Sequence, residues 1–189
     1  MRVLDTTLVG AVVFEPQVFG DDRGYFKETW HDARYSEYGL PLKFVQDNVS
    51  RSSRGILRGL HSQYPQSQGK LVQVLEGEVF DVAVDVRVES PTFGQWFGVH
   101  LSAENHKQFY IPPGMAHGFQ VISQSALFCY KCTDYYAPDN EFTIAWDDPE
   151  LGINWPLSDP ILSEKDQKGL RLCHLDKARL MSFQGGQDV

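Results

Sequence analysis

Residues 79–86 alternate without a break. Phe80, Val82, Val84 and Val86 fall on one face, and Val79, Asp81, Ala83 and Asp85 on the other. A period of two marks a β-strand. Gly77, within Leu75-Glu76-Gly77-Glu78, supplies a turn residue, so Lys70–Leu75 and Val79–Val86 read as a hairpin. Further runs predict strands over Ala11–Phe19, Lys43–Asn48, Trp96–Leu101, Gln108–Ile111, Gly118–Ile122, Ala126–Thr133 and Phe142–Trp146. Turn signals such as Ser90-Pro91, Pro112-Pro113-Gly114 and Ala137-Pro138-Asp139-Asn140 separate them. Helix is sparse. Two turns are expected over His31–Tyr38 before Gly39, and a short helix after Ser163-Glu164-Lys165-Asp166, where a serine N-cap precedes acidic residues. Many short strands at this spacing predict an all-β sandwich or barrel. No linker or repeat divides the chain, and the tail over 184–189 is expected to fray.

Composition narrows the class. The 189 residues suffice for one domain with a sizeable core, and 42% hydrophobic with 13% aromatic residues argues against disorder. A formal charge of −8 argues against nucleic acid, which needs a basic face. A single phosphorylated small molecule still fits, because a few local arginines can hold it. No apolar run approaches the ~20 residues of a membrane span. The segment Met1–Thr7 has no signal-peptide core and carries Asp5. Three cysteines cannot all pair within one chain, so a reducing cytoplasm is the expected location.

Two segments carry the candidate chemistry. One is Leu57-Arg58-Gly59-Leu60-His61, followed by Gln68-Gly69-Lys70; the other is Pro112-Pro113-Gly114-Met115-Ala116-His117-Gly118-Phe119. Each sets a histidine beside glycines, as at the rim of a barrel pocket. Arg58 and Lys70 are costly to bury unpaired, so a pocket that accepts an anion accounts for them. A lysine near a histidine also suits enolate chemistry: the imidazole takes a proton next to a carbonyl and the cation stabilises the oxyanion. Tyr130 shares a strand face with Phe128 and Cys132. It reads as a barrel-interior tyrosine or as a proton donor, and periodicity alone favours the first.

Other constellations read as structural. Pro112-x-Gly114-x-x-His117 resembles the second motif of metal-binding cupins, but His61-Ser62-Gln63 lacks the second histidine of the first motif, so no metal is expected. Cys129-Tyr130-Lys131-Cys132 lies in a strand, where residues three apart face opposite ways, so it reads as two ordinary cysteines. Asp21–Phe26 and Gln46-Asp47-Asn48 look like turns. Tyr135-Tyr136 suits rim packing or stacking on a base. His31, His100, His106 and His174 receive no role.

Taken together, these motifs resemble the dTDP-4-dehydrorhamnose 3,5-epimerase family of cofactor-free sugar-nucleotide epimerases. The match runs from about Leu8 to about Gly169. It rests on Phe19-Gly20-Asp21-Asp22-Arg23-Gly24, Phe44-Val45-Gln46-Asp47-Asn48, the two histidine segments, Gly77–Asp85, Ser90-Pro91-Thr92-Phe93-Gly94, Leu101-Ser102-Ala103-Glu104-Asn105 and Leu162-Ser163-x-Lys165-Asp166. The resemblance implies one cupin-like jelly-roll domain over 1–189, a homodimer with an exchanged N-terminal strand within 1–20, and neither metal nor cofactor. It implies His61 as the base, Asp166 as its carboxylate partner, Tyr130 as the donor on the opposite sugar face and Lys70 as the enolate stabiliser. Anion and sugar contacts map to Arg23, Glu28, Gln46, Asp47, Asn48, Arg58, His117, Glu141 and Lys165, with Tyr136 stacking on thymine. The implied substrate is a dTDP-4-keto-6-deoxy sugar. The chain departs from the common pattern at Val49, Ser62 and Cys129. A single-centre epimerase, or a non-catalytic cupin that binds a nucleotide sugar, are the alternatives.

Overall fold

The computed structural model describes residues 1–38, 40 and 43–184. One sheet runs, in spatial order, β1 (Arg2–Asp5), β2 (Val12–Glu15), β10 (Gln108–Ile111), β7 (Lys70–Glu76), β12 (Ser125–Cys132) and β5 (Gln46–Ser53). The facing sheet runs β13 (Glu141–Thr143), β6 (Leu57–Gln63), β11 (Met115–Val121), β8 (Glu78–Asp85) and β9 (Trp96–Ser102). The paired strands of both sheets are antiparallel. A separate two-stranded hairpin joins β3 (Val18–Asp21) to β4 (Gly24–Lys27). This is the expected cupin-like jelly roll. No described helix is long and apolar enough to cross a membrane.

The strand alternation sorts side chains into three apolar layers. Val72, Val74, Phe109 and Phe128 of one sheet meet Val79, Ala83, Phe119 and Val121 of the other in the space between them. On the far side of β8, Phe80, Val82, Val84 and Val86 are covered by Leu151 and Leu180 of the C-terminal segment. On the far side of the six-stranded sheet, Phe14, Leu71 and Tyr110 pack under Tyr35 and Leu40. The all-apolar face of β8 therefore points away from the inter-sheet space. Its mixed face points inward and carries Asp81.

The hairpin expected from Lys70–Leu75 and Val79–Val86 does not form. Only Gly77 separates β7 from β8, too few residues for a hairpin loop. The chain instead passes from one sheet to the other there. Gly77 has φ +75°, and a Cβ would lie 2.0 Å from the Ser125 carbonyl oxygen, so only glycine fits this crossing. The run expected over Ala11–Phe19 divides into β2 and β3 at Pro16, which cannot donate to a ladder. The helix expected at 31–38 shortens to α1, Asp32–Ser36, and the one after Ser163 is a single 3₁₀ turn, Asp166–Lys168. Beyond Gln184, the tail lies outside the described residues. β1 and β2 pair with each other, and β2 with β10, in the six-stranded sheet, while β3 pairs only with β4.

A buried ion pair ties the N-terminal loop to the end of β8. The Arg87 guanidinium donates to both oxygens of Asp85, at 3.0 and 2.8 Å, and to the Val9 carbonyl at 2.8 Å. Burial opposes ionisation of Asp85. Bonds from Arg87, Ser90 and Thr92 outweigh it and hold the carboxyl below the usual range.

If the C-terminal segment is part of the core, Leu180→Ala should destabilise the fold by about 2–4 kcal/mol. Urea unfolding should show a lower midpoint with an unchanged slope.

Candidate active site

A cavity of about 310 Å³ opens between the two sheets, within the size range of small-molecule sites. One wall carries Gln46, Asn48 and Ser50 of β5, Lys70 of β7, and Phe128 and Tyr130 of β12. The other carries Arg58 and His61 of β6, and His117 and Phe119 of β11. Gln68, Tyr136, Glu141 and Lys165 complete the lining. Phe119 and Phe128 stack across the sheets, with ring centroids 4.2 Å apart, and close the apolar end.

Arg58 and His61 are three residues apart, so a regular strand would aim them at opposite faces. Both line the cavity because β6 bulges. His61 pairs with His117 and Arg58 with Phe119, leaving one extra residue on β6. Gly59 sits in that bulge at φ +122°, where a Cβ would meet the Gly118 Cα at 2.5 Å. Two glycines on neighbouring strands thus allow the backbones to approach closely. The histidine-and-glycine pattern of the two segments has this physical cause.

His61 donates from Nε2 to Asp166 Oδ1, with the nitrogen and oxygen 2.5 Å apart. Ser163 Oγ donates to the other oxygen, Oδ2, at 2.8 Å. Asp166 is 3% exposed, and burial works against its charge. The bonds from His61 and Ser163, with the His61 and Lys165 charges, outweigh burial and hold the carboxyl below its ordinary range. A second imidazole–carboxylate pair lies alongside: His117 Nε2–H donates to the fully buried Asp81 carboxylate at 3.0 and 3.1 Å. Burial pulls the His117 imidazole down despite Asp81.

The opposite wall carries a phenol and an ammonium. Burial pushes the Tyr130 phenol up, which keeps its proton at neutral pH. Lys70 stands opposite Cys132 across the β7–β12 pairing, on the Tyr130 side. Loss of hydration pulls the Lys70 ammonium down, and Cys132, Glu141 and Asp81 oppose that. An oxyanion forming beside Lys70 would favour its charged form. At the rim, Glu141 Oε2 accepts from Lys165 at 2.8 Å and from the Tyr136 hydroxyl at 3.0 Å. Arg58 donates through Nε to Ser52 at 3.1 Å, and its two terminal nitrogens have no partner among the described residues.

Four of the expected site residues do not line the cavity. Asp166 stands behind His61, as its partner. Asp47 faces the other side of β5 and pairs with Lys131 at 2.9 Å, because strand alternation sends it opposite to Gln46 and Asn48. Arg23 lies on the β3–β4 hairpin, paired with Asp21, in a hollow formed by residues 19–26 alone. Glu28 pairs with Arg34 at 2.8 Å. Sequence reasoning missed Ser50, Gln68, Phe119 and Phe128. Alternation from Asn48 and from Tyr130 would have found Ser50 and Phe128. Nothing local marked Asp81, whose role arises from β8–β11 pairing. Cys129 is half-buried and Cys132 fully buried, and both are free thiols. Among the described residues no group of three or more His, Cys, Asp or Glu side chains is placed to hold a metal.

The family model for dTDP-4-dehydrorhamnose 3,5-epimerase matches residues 5–174. The chain belongs to this family. It is 56% identical over 178 residues to the dTDP-4-dehydrorhamnose 3,5-epimerase of Pseudomonas aeruginosa, covering 93% of this chain and 98% of that protein. The enzyme of the same description from Methanothermobacter thermautotrophicus is 53% identical over 169 residues, covering 88% and 91%. Among solved structures, the dTDP-6-deoxy-D-glucose-3,5-epimerase of Legionella pneumophila, in complex with dTDP-4-keto-L-rhamnose, superposes with a TM-score of 0.95. It is 53% identical, covering 97% of this chain and 99% of that one. As a member of this epimerase family, the protein is an isomerase.

Two expectations follow for the epimerase site. Gly59→Ala places a side chain at φ +122° against the Gly118 backbone. Strain of this kind costs about 1–3 kcal/mol. Thermal unfolding should show that loss, together with weakened activity in the folded protein. Asp166 has its carboxyl held below 3.8, so the stability it contributes is present above that pH and is lost as pH falls through the folded-state value. The stability gap between the wild type and Asp166→Asn should therefore narrow on acidification below about pH 4. Chemical denaturation across that range checks it.

Proposed function

We propose that this protein epimerises dTDP-4-keto-6-deoxy-D-glucose at carbons 3 and 5 to dTDP-4-keto-L-rhamnose, within dTDP-L-rhamnose synthesis and without a cofactor. The observation that carries this reading is His61 on one sheet and Tyr130 on the facing sheet, across one cavity. A sugar ring lying between the sheets presents one face to each group. The carbonyl at carbon 4 acidifies the protons at carbons 3 and 5. His61 takes one of them, and the electron pair moves onto the carbonyl oxygen as an enolate, stabilised by Lys70. Tyr130 returns a proton to the opposite face, which inverts the centre. The imidazolium then releases its proton to solvent and the phenolate regains one, ready for the second carbon. Asp166 holds the imidazole in one orientation and stabilises the imidazolium.

The remaining groups supply binding. Arg58, with unpartnered terminal nitrogens among the described residues, suits the diphosphate. Gln46, Asn48, His117, Glu141 and Lys165 offer polar contacts along the cavity. Tyr136, 51% exposed at the rim, suits stacking on thymine. Arg23 and Glu28 would reach the site of a second copy in a homodimer. The β3–β4 hairpin supports that reading: Phe19, Tyr25 and Phe26 are 55, 56 and 69% exposed, more apolar surface than a hairpin keeps in water without a partner. The cytoplasm is the expected setting.

Heavy water tests the reaction. Turnover of dTDP-4-keto-6-deoxy-D-glucose should place two deuterons in the product by mass spectrometry. One deuteron would indicate a single-centre epimerase, and binding without exchange a non-catalytic cupin. His61→Ala should lower exchange at both carbons by ~10²–10⁴. Tyr130→Phe should reduce net epimerisation far more than wash-out of the substrate proton, since His61 still removes and returns it. Equal losses in both would make Tyr130 a packing residue.

A further inference from the structure

Ser163 occupies an unusual place beside the dyad. Its Oγ accepts from the Asp166 backbone N–H at 3.2 Å, as an N-cap serine does three residues ahead. The same hydroxyl donates to Asp166 Oδ2 at 2.8 Å. In the usual capping box the acidic side chain reaches back to the cap's own N–H. Here the carboxylate takes the serine hydroxyl instead. The turn that follows is only Asp166–Lys168, with Lys165 at its start, so the clamp has little helix to stabilise. Its evident effect is on the carboxylate. One oxygen is held by Ser163, and the other therefore faces His61 Nε2 at 2.5 Å.

We propose that Ser163 is a positioning residue of this active site, completing a Ser163–Asp166–His61 chain that fixes the orientation of the base. The inference rests on the reading of His61 as the base. Without the serine hydroxyl, the Asp166 side chain can rotate about its own bonds, and its second oxygen loses a partner in a buried setting. Both effects loosen the imidazole at the moment it becomes charged. Ser163 is not among the residues that line the cavity; it stands behind Asp166.

The test compares Ser163→Ala, Ser163→Thr, Asp166→Asn and the double variant Ser163→Ala/Asp166→Asn with the sugar-nucleotide substrate. Ser163→Ala should lower kcat roughly ten- to hundredfold, the size of a hydrogen bond to a charged group, with KM nearly unchanged. Ser163→Thr keeps the hydroxyl and should restore most of kcat. In the Asp166→Asn background, Ser163→Ala should have little further effect, because the two act as one unit. A merely structural serine would lower stability and leave kcat of the folded protein intact, or its effect would multiply with that of Asp166→Asn; either result overturns the proposal. His61→Ala is the control that separates the two readings. If it retains turnover, the base assignment fails. If it is inactive while Ser163→Ala is fully active, only the role of Ser163 fails.

Discussion

The approach of Gly59 on β6 to Gly118 on β11 is the constraint on which the site depends. A Cβ at either position would collide with the other strand's backbone, at 2.5 Å from Gly118 Cα and 2.7 Å from the Arg58 carbonyl oxygen. Because neither residue has one, β6 can carry an extra residue opposite β11. The bulge then turns Arg58 and His61 to the same side. Without it, Arg58 and His61 would lie on opposite faces of the sheet, one in the cavity and one in the outer packing layer. Local backbone geometry thereby decides which charges share a space.

Burial sets the chemistry of that space. Charged and titratable groups are expensive to enclose unless they are paired. The inner wall meets that cost with two imidazole–carboxylate pairs, His61–Asp166 and His117–Asp81, and the rim meets it with Glu141 between Lys165 and Tyr136. Arg58, bonded only through Nε to Ser52, and Lys70 are exceptions: the Lys70 ammonium makes no hydrogen bond or ion pair among the described residues, and loss of hydration weakens its charged form. A bound anion is the natural partner for such a group. The enclosing apolar surface, Phe119 stacked on Phe128, lowers the local dielectric and strengthens each of these interactions.

Much of this was legible in the sequence, though unevenly. The strand expected over Gln108–Ile111 stands at those residues, and the one expected over Ala126–Thr133 runs from Ser125 to Cys132. Those with polar residues on both faces, such as β6, carry no clean period to mark Leu57–Gln63 as a strand. The Gly77 turn was visible, but not that it joins two sheets. Nor did the Ser163 signal mean a helix; it marks a clamp on a carboxylate.

What the sequence determined by itself is the all-β class, the set of chemically capable residues and, through ordered motifs, the family. Those properties are local: side-chain period, turn chemistry and residue type are written within a few positions. What only the tertiary structure decided is convergence. His61 and Asp166 are 105 residues apart, and His117 and Asp81 are 36 apart. Asp47 turns away while its neighbours Gln46 and Asn48 turn in. Such placements depend on which strands pair, in what register, and which face of β8 the C-terminal segment covers. Those choices are made by packing across long sequence separations, where no local pattern reaches.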